Sequence, residues 1–287
     1  MVYYLRSNNL IVSINSKGAE IASVKCNELE YIWQAKADVW PRHAPVLFPI
    51  VGRLKNNSFK CKGQNYSLSQ HGFARDKEFK CISQSEKKIC FKLVSDVEIN
   101  KIYPFDFSLM IKYALEEDMV TCTYEVTNPS LQNLFFSIGA HPGFKVPIED
   151  HEKFEDYTLK FDQAREYQTT VLSDGLLSET KEKLHLTNGE LNLNSSLFDK
   201  DALIFENSQI DAISLISPTG KGVEINCNGW PYFGIWSKKG CNEFVCLEPW
   251  YGITDSVNAS GDLNTKKGII ELQSGKKFEC NFSIRFF

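Results

Sequence analysis

The stretch FSLMIKYALEEDMVTCTYEV, Phe107 to Val126, decides the fold class. Two segments, FSLMIKYAL and VTCTYEV, combine alternating, β-branched and aromatic residues, the pattern of half-buried strands. EEDM between them is polar and short, as a turn joining antiparallel neighbours should be.

Outward from this pair the same signal recurs in NLIVSIN, KICFKLV, LFFSIGA, AISLIS, GVEINC, YFGIWS and FECNFSIRFF. Turn formers bound them: TNPS follows VTCTYEV, and SPTGKG separates AISLIS from GVEINC. Helical periodicity is scarce, since DQAREYQTTV is too polar and SSLFDKDALIF is short. The expectation is an all-β protein: one large antiparallel sandwich domain over residues 1–287, with minor helix, no linker and no internal repeat.

Hydrophobic residues at 43% and charged residues at 24% are ordinary for a globular chain, so a sizeable core is expected. The net charge of -4, without a dense Lys/Arg block, argues against a nucleic-acid backbone or an anionic membrane surface as partner. A small neutral or modestly charged ligand fits better. The nine cysteines include no CxxC pair and read as buried free thiols. The N-terminus lacks the basic region and apolar core of a signal peptide, and no run of roughly 18 apolar residues occurs. A cytoplasmic monomer or homodimer is expected.

Four stretches break the strand pattern: HAPVLFPIVGRL (43–54), QHGFARD (70–76), GAHPGF (139–144) and CLEPWYG (246–252). Each combines Pro or Gly with an ionisable side chain. His141 and Glu248 share a design, for each ends an apolar run and precedes a proline, which biases it toward extended geometry. A constrained backbone suits an acid or base that must meet one substrate atom. Trp250 and Tyr251 add flat rings on which the C–H face of a sugar can rest.

Plainer readings stand beside these. A lone histidine is more often a satisfied structural residue, and a strand-end glutamate is common. Arg53 reads either as a surface cation or as a guanidinium needing acceptors at the end of a buried segment. Arg75 with Asp76 reads either as a local ion pair or as part of a site, and His71 as turn residue or ligand donor. The five histidines include no HExxH pair or Cys/His knuckle, and GxGxxG, Walker and GxSxG motifs are missing. Acid/base chemistry without metal or cofactor remains.

On HAPVLFPIVGRL, QHGFARD, GAHPGF and CLEPWYGITD together, the sequence resembles the aldose 1-epimerase (galactose mutarotase) family, most closely a divergent bacterial branch of galactose mutarotase-related proteins. The resemblance implies a β-supersandwich with an open cleft on one face. It implies His141 as catalytic acid, Glu248 as base, and Arg53 and His71 as sugar-binding residues. It further implies Asp201, in KDALIF, as a substrate-binding aspartate, with Arg75 close by. The implied reaction is anomer interconversion of an aldohexose by ring opening, with a carboxylate and an imidazolium facing the sugar. A related branch acts on hexose 6-phosphates, for which Arg53, Arg75 and Lys145 are candidate phosphate contacts. Two rivals remain: a non-catalytic sugar-binding protein using the same cleft, and a glycosidase, which normally needs a second carboxylate.

Overall fold

A computed structural model describes residues 1–163 and 165–287. The hairpin read from Phe107 to Val126 forms: strands Ser108–Glu116 and Met119–Thr127 pair antiparallel, from Ser108 opposite Thr127 to Glu116 opposite Met119. Leu109, Ile111, Tyr113 and Leu115 are buried while the residues between them are only half-buried, the period of two that a pleated strand imposes.

This hairpin lies inside a nine-stranded sheet. Lys88–Val94 and then Lys80–Gln84 extend it on one side; Lys277–Phe286, Gly222–Asn226, Ala212–Ile216, Thr158–Phe161 and Glu190–Asn192 extend it on the other. A second large sheet runs in the order Leu176–Leu184, Tyr167–Ser173, Leu203–Glu206, Tyr232–Trp236, Phe244–Tyr251, Ile138–Ala140, Val46–Leu47, with Gly143–Lys145 also paired to Phe244–Tyr251. A four-stranded sheet spans Val2–Arg6 to Leu29–Glu30. One apolar cluster draws on all three sheets, for example Ile111 and Tyr124, Phe233 and Leu247, Leu5 and Val12. The core thus lies between packed layers, as the all-β expectation requires.

Among the described residues the only α-helix is Val97–Ile102, started by Asp96, whose side chain accepts from the Ile99 N–H. No helix there is long and apolar enough to cross a membrane. LFFSIGA proves to be two strands in two sheets: Leu134–Phe136 pairs with Ile270–Leu272, and Ile138–Ala140 joins the second large sheet. The chain changes sheets at Ser137, whose N–H donates to the Pro49 carbonyl. All nine cysteines are free, but only six are buried; Cys81, Cys90 and Cys241 are half-buried, which corrects the reading of all nine as core thiols.

Candidate active site

Strand Phe244–Tyr251 runs through the second sheet and is buried up to Trp250. On one edge it pairs with Tyr232–Trp236, Gly234 opposite Glu248. On the other, Ile138–Ala140 and Gly143–Lys145 pair in one register, Gly139 opposite Trp250 and Gly143 opposite Cys246. Carried through the gap between them, that register sets His141 opposite Glu248. The Leu247 N–H donates to the Pro142 carbonyl at 3.3 Å, so by antiparallel alternation His141 and Glu248 form a non-hydrogen-bonded pair, the kind whose side chains come closest. Neither Pro142 nor Pro249 has an N–H for the ladder, and the proline each residue precedes leaves the pairing open there. His141 Nε2 lies 3.2 Å from Glu248 Oε2.

The QHGFARD segment docks beside this pair. His71 N–H donates to the Gly52 carbonyl at 2.8 Å, and Gly52 N–H donates to His71 Nδ1 at 3.1 Å. Nδ1 is therefore an acceptor, and a neutral His71 carries its hydrogen on Nε2. Gly72 has φ +70°, and a Cβ there would fall 2.4 Å from the Phe48 carbonyl oxygen, so the tight approach of the two motifs needs glycine. Aromatic rings then hold His141. Trp40 stacks on it at 5.0 Å between centroids, while Trp236 and His71 meet it edge-on at 5.7 and 5.3 Å.

These groups border a cavity of about 370 Å3, in the size range of small-molecule sites. Its apolar lining includes Trp40, Trp236, Trp250, Leu172 and Ile204; its polar lining includes Gln70, His71, Arg75, Asp201 and Thr254 with His141 and Glu248. Buried polar atoms normally have partners. Among the described residues seven buried side-chain atoms have none, and four of them, Arg75 Nε, His141 Nδ1, Glu248 Oε2 and Trp250 Nε1, belong to this lining. Glu248 Oε2 lacks a hydrogen bond despite its 3.2 Å approach to His141, so the two groups touch without the ring N–H being aimed at that oxygen.

Burial dominates the electrostatics. It pulls His141 down to about 3, with the charges of Arg75 and Arg42 adding to the fall and a backbone hydrogen bond opposing it. It pushes Glu248 well up, and the charge of Asp201 adds to the rise. It also lowers His71, helped by His141, Arg75 and Arg42. The sequence reading of a standing carboxylate and imidazolium is therefore corrected for the unliganded cavity: desolvation favours neutral imidazole beside protonated carboxyl. Both forms of the pair hold the same number of protons.

His141, Glu248, His71, Arg75, Asp201 and Trp250 all line the cavity. Arg53 does not: its guanidinium donates to Asn57 Oδ1 at 3.2 Å and to the Asp174 carbonyl at 3.0 Å, and only its backbone touches the site, through Thr254 Oγ1. Lys145 is also elsewhere, donating to the Ile148 carbonyl and pairing with Asp150. Tyr251 points to the opposite face from Trp250, packing on Trp230 and Phe278, because strand residues alternate. Asp201 is exposed at φ +86°, its carboxylate accepting from the Ala202 N–H. Trp40, Trp236 and Thr254 went unrecognised in the sequence as site residues; the signal available was Trp40-Pro41 just before HAPVLFPIVGRL and a tryptophan ending YFGIWS. Cys246 lies one pleat from Glu248, and its sulfur, His141 and Glu248 supply three ligand-type atoms within 4.8 Å of one another.

Residues 1–285 match the family described as aldose 1-epimerase. The chain is 36% identical to a galactose mutarotase related enzyme from Lactobacillus acidophilus, with a TM-score of 0.96, covering 100% of this chain and 97% of the other. A galactose mutarotase-like protein from Lactobacillus casei gives 27% identity and a TM-score of 0.93 with 100% of both chains covered. The chromosomal LacX protein of Lactococcus lactis subsp. lactis is 30% identical, over 96% of this chain and 97% of that protein. A family match along nearly the whole polypeptide thus meets a cavity holding a histidine and a glutamate in contact, and the chain belongs to the aldose 1-epimerase family.

Proposed function

We propose that this protein is a cofactor-independent mutarotase that interconverts the α and β anomers of an unphosphorylated aldohexose or closely related sugar. Membership of the aldose 1-epimerase family supports an isomerase role on a sugar, and the choice of sugar is inferred from the cavity. The observation that carries the reading is the His141–Glu248 contact of 3.2 Å on a cavity of monosaccharide scale. In a cyclic hemiacetal the C1 hydroxyl oxygen and the ring oxygen O5 are bonded to the same carbon. An acid and a base serving them must therefore stand together beside one carbon, a requirement that two groups 3.2 Å apart on one cavity wall meet.

Glu248 takes the proton of the C1 hydroxyl while His141 gives one to O5. The C1–O5 bond breaks and the C1–O1 bond becomes a carbonyl. Rotation about C1–C2 presents the other carbonyl face; the C5 hydroxyl closes on it, returning its proton to His141 as Glu248 returns its own to O1. No metal, nucleotide or covalent intermediate takes part. Sugar hydroxyls donating to the Glu248 carboxylate favour its ionised form, so ligand binding moves the shared proton onto His141 before opening. His71, with its hydrogen on Nε2, and Arg75 supply donors to the ring oxygens.

Of the three basic residues suited to a 6-phosphate, only Arg75 lines the cavity, which favours the unphosphorylated sugar. Among the described residues Asp201 is the only other carboxylate of the lining, and its engagement with its own backbone speaks against a glycosidase pair. Exchange NMR on equilibrated aldoses and their 6-phosphates tests the reading. Glu248→Gln is expected to abolish catalysed exchange while retaining sugar binding; exchange at the wild-type rate in that variant would sink it.

A further inference from the structure

Cys246, Glu248 and Trp250 project from the same face of strand Phe244–Tyr251, and the register sets His141 opposite Glu248. Cys246 is fully buried in a cluster with Trp33 and Phe244 that Trp40 and Trp236 pack against, and the same two tryptophans hold the His141 ring, so the thiol lies just behind the cavity lining. The mutarotase chemistry uses no thiol. Small apolar residues would fill this position without bringing a sulfur ligand to a proton-transfer pair.

We propose that His141 Nε2, Glu248 Oε2 and Cys246 Sγ form a binding site for one borderline-soft divalent cation, Zn2+ being the best match, and that its occupancy switches sugar exchange off. One ring nitrogen of His141, one carboxylate oxygen of Glu248 and the Cys246 sulfur lie within 4.8 Å of one another, and all three residues are buried. Ligands at about 2.0–2.1 Å from a tetrahedral zinc are separated from each other by about 3.3 Å. The 3.2 Å between His141 Nε2 and Glu248 Oε2 already equals one edge of that tetrahedron. A second, independent observation is that Glu248 Oε2 has no hydrogen-bond partner, although it is buried and close to the ring nitrogen. Two groups that touch without bonding to each other are free to share a third atom.

The charge balances too. One thiolate and one carboxylate neutralise a divalent ion, which limits the cost of placing it in a buried site. Thiolate and imidazole donors select zinc-like ions over Mg2+ or Ca2+, which require mostly oxygen. A three-ligand site leaves the fourth position toward the cavity for water or a sugar hydroxyl. Binding displaces two protons, one from the Cys246 thiol and one shared by His141 and Glu248. Loss of the second removes the proton that ring opening needs. The inhibitory consequence rests on the mutarotase reading; the coordination does not.

The test is calorimetric titration of the metal-free protein with Zn2+, run beside Co2+ titration followed by absorption spectroscopy, each with and without Cys246→Ala. One ion per chain, release of two protons and a sulfur-to-cobalt charge-transfer band are expected. Cys246→Ala should lose the band and weaken Zn2+ binding by more than about 100-fold, beyond the loss typical of an outer-sphere partner. Cys246→Ser covers the case in which the smaller residue unfolds the wall, and Glu248→Gln should weaken binding independently. Zn2+ that binds equally well in these variants, as it would at the Glu149, His151 and Glu152 cluster, overturns the proposal, and so does no binding at all. In exchange NMR, stoichiometric Zn2+ should stop the wild-type protein and a chelator should restore it. A metal-free protein that binds Zn2+ through Cys246 yet never catalyses exchange would defeat the mutarotase reading and leave the metal site standing.

Discussion

The indole of Trp250 lies across Gly234: a Cβ at that glycine would fall 2.3 Å from Trp250 Cη2. The other end of the ring covers Gly139, where a Cβ would fall 2.6 Å from Cδ1. The two glycines occupy the strands flanking that of Trp250, so the ring rests flat on three strands and presents its face to the cavity. A flat, rigid aromatic surface is what the C–H face of a pyranose packs against.

Gly234→Ala should therefore lift the ring into the space a sugar would fill. Overpacking of this kind costs about 1–3 kcal/mol, so the variant is expected to fold with a lowered urea midpoint. Sugar affinity should fall more than the turnover of bound sugar, giving a raised KM at nearly unchanged kcat. Wild-type KM in a folded Gly234→Ala protein would show that the ring's height does not matter to binding.

Trp40 stacks on His141 at an interplanar angle of 28°, placing the face of its π-system against the ring that, in the proposed mechanism, becomes cationic before it protonates O5. Cation–π stabilisation runs from about 0.5 to 2 kcal/mol, equivalent to about 2- to 30-fold in the population of the imidazolium. Trp40→Leu is expected to lower kcat by a factor in that range, and Trp40→Phe by less. Steady-state mutarotation rates at saturating sugar check this; equal kcat in Trp40→Leu and wild type would confine Trp40 to a packing role.

How much of this was legible in the sequence follows from which signals are local. The strands at Lys88–Val94, Ser108–Glu116 and Lys277–Phe286 bury one face, and their alternation is visible in the residues themselves. Strand Leu176–Leu184 carries LLSETKEKL, mostly exposed on the sheet edge, and offers no such pattern. His141 and Glu248 were recognisable by their shared residue-before-proline design, but their contact depends on a cross-strand register between segments about a hundred residues apart. Arg53 was misleading for the reverse reason: its backbone belongs to the site while its side chain turns toward Asn57 and Asp174. Trp40 and Cys246 matter only through their neighbours in space, which no spacing rule reports.

A buried ion pair supports the site from behind. Lys266 Nζ lies 3.3 Å from Asp255 Oδ1, both side chains almost wholly buried, and Asp255 Oδ2 accepts from the Lys55 N–H at 2.9 Å. Asp255 follows Thr254, which lines the cavity and donates to the Gly175 carbonyl at 2.7 Å. Lys266→Met strands a buried carboxylate, and removing one partner of such a pair typically costs about 3–5 kcal/mol. The double variant Lys266→Met/Asp255→Asn removes the stranded charge and should recover part of that loss. Urea denaturation of the three proteins checks the ordering; a double variant no more stable than the single one would mean that the lone carboxylate is not stranded, the Lys55 N–H sufficing to hold it.

Glu206 should make stability pH-dependent on the acid side. It is buried on strand Leu203–Glu206, where it accepts from Thr170 Oγ1 at 2.6 Å, contacts Lys267 Nζ and lies 3.8 Å from Lys181 Nζ. Burial pushes its carboxyl upward, but the hydrogen bonds from Lys267 and Thr170 and the charges of both lysines outweigh burial and hold it below its ordinary value. With the folded pKa below the unfolded one, the unfolded chain binds more protons between the two values, so stability rises with pH through that interval. The contribution is complete above the unfolded pKa and disappears as pH falls through the folded one. Both lysines are about half exposed, which weakens their share through solvent screening and salt. Glu206→Gln keeps a hydrogen-bonding group but loses the charge, and is expected to cost about 1 kcal/mol at pH 7, a typical scale for a charge-assisted hydrogen bond partly screened by water. The difference from wild type should shrink toward zero in the acid range as the wild-type carboxyl protonates. Urea midpoints for both proteins at neutral and acid pH read this out; a deficit that stays constant with pH would assign it to packing around residue 206 instead of its charge.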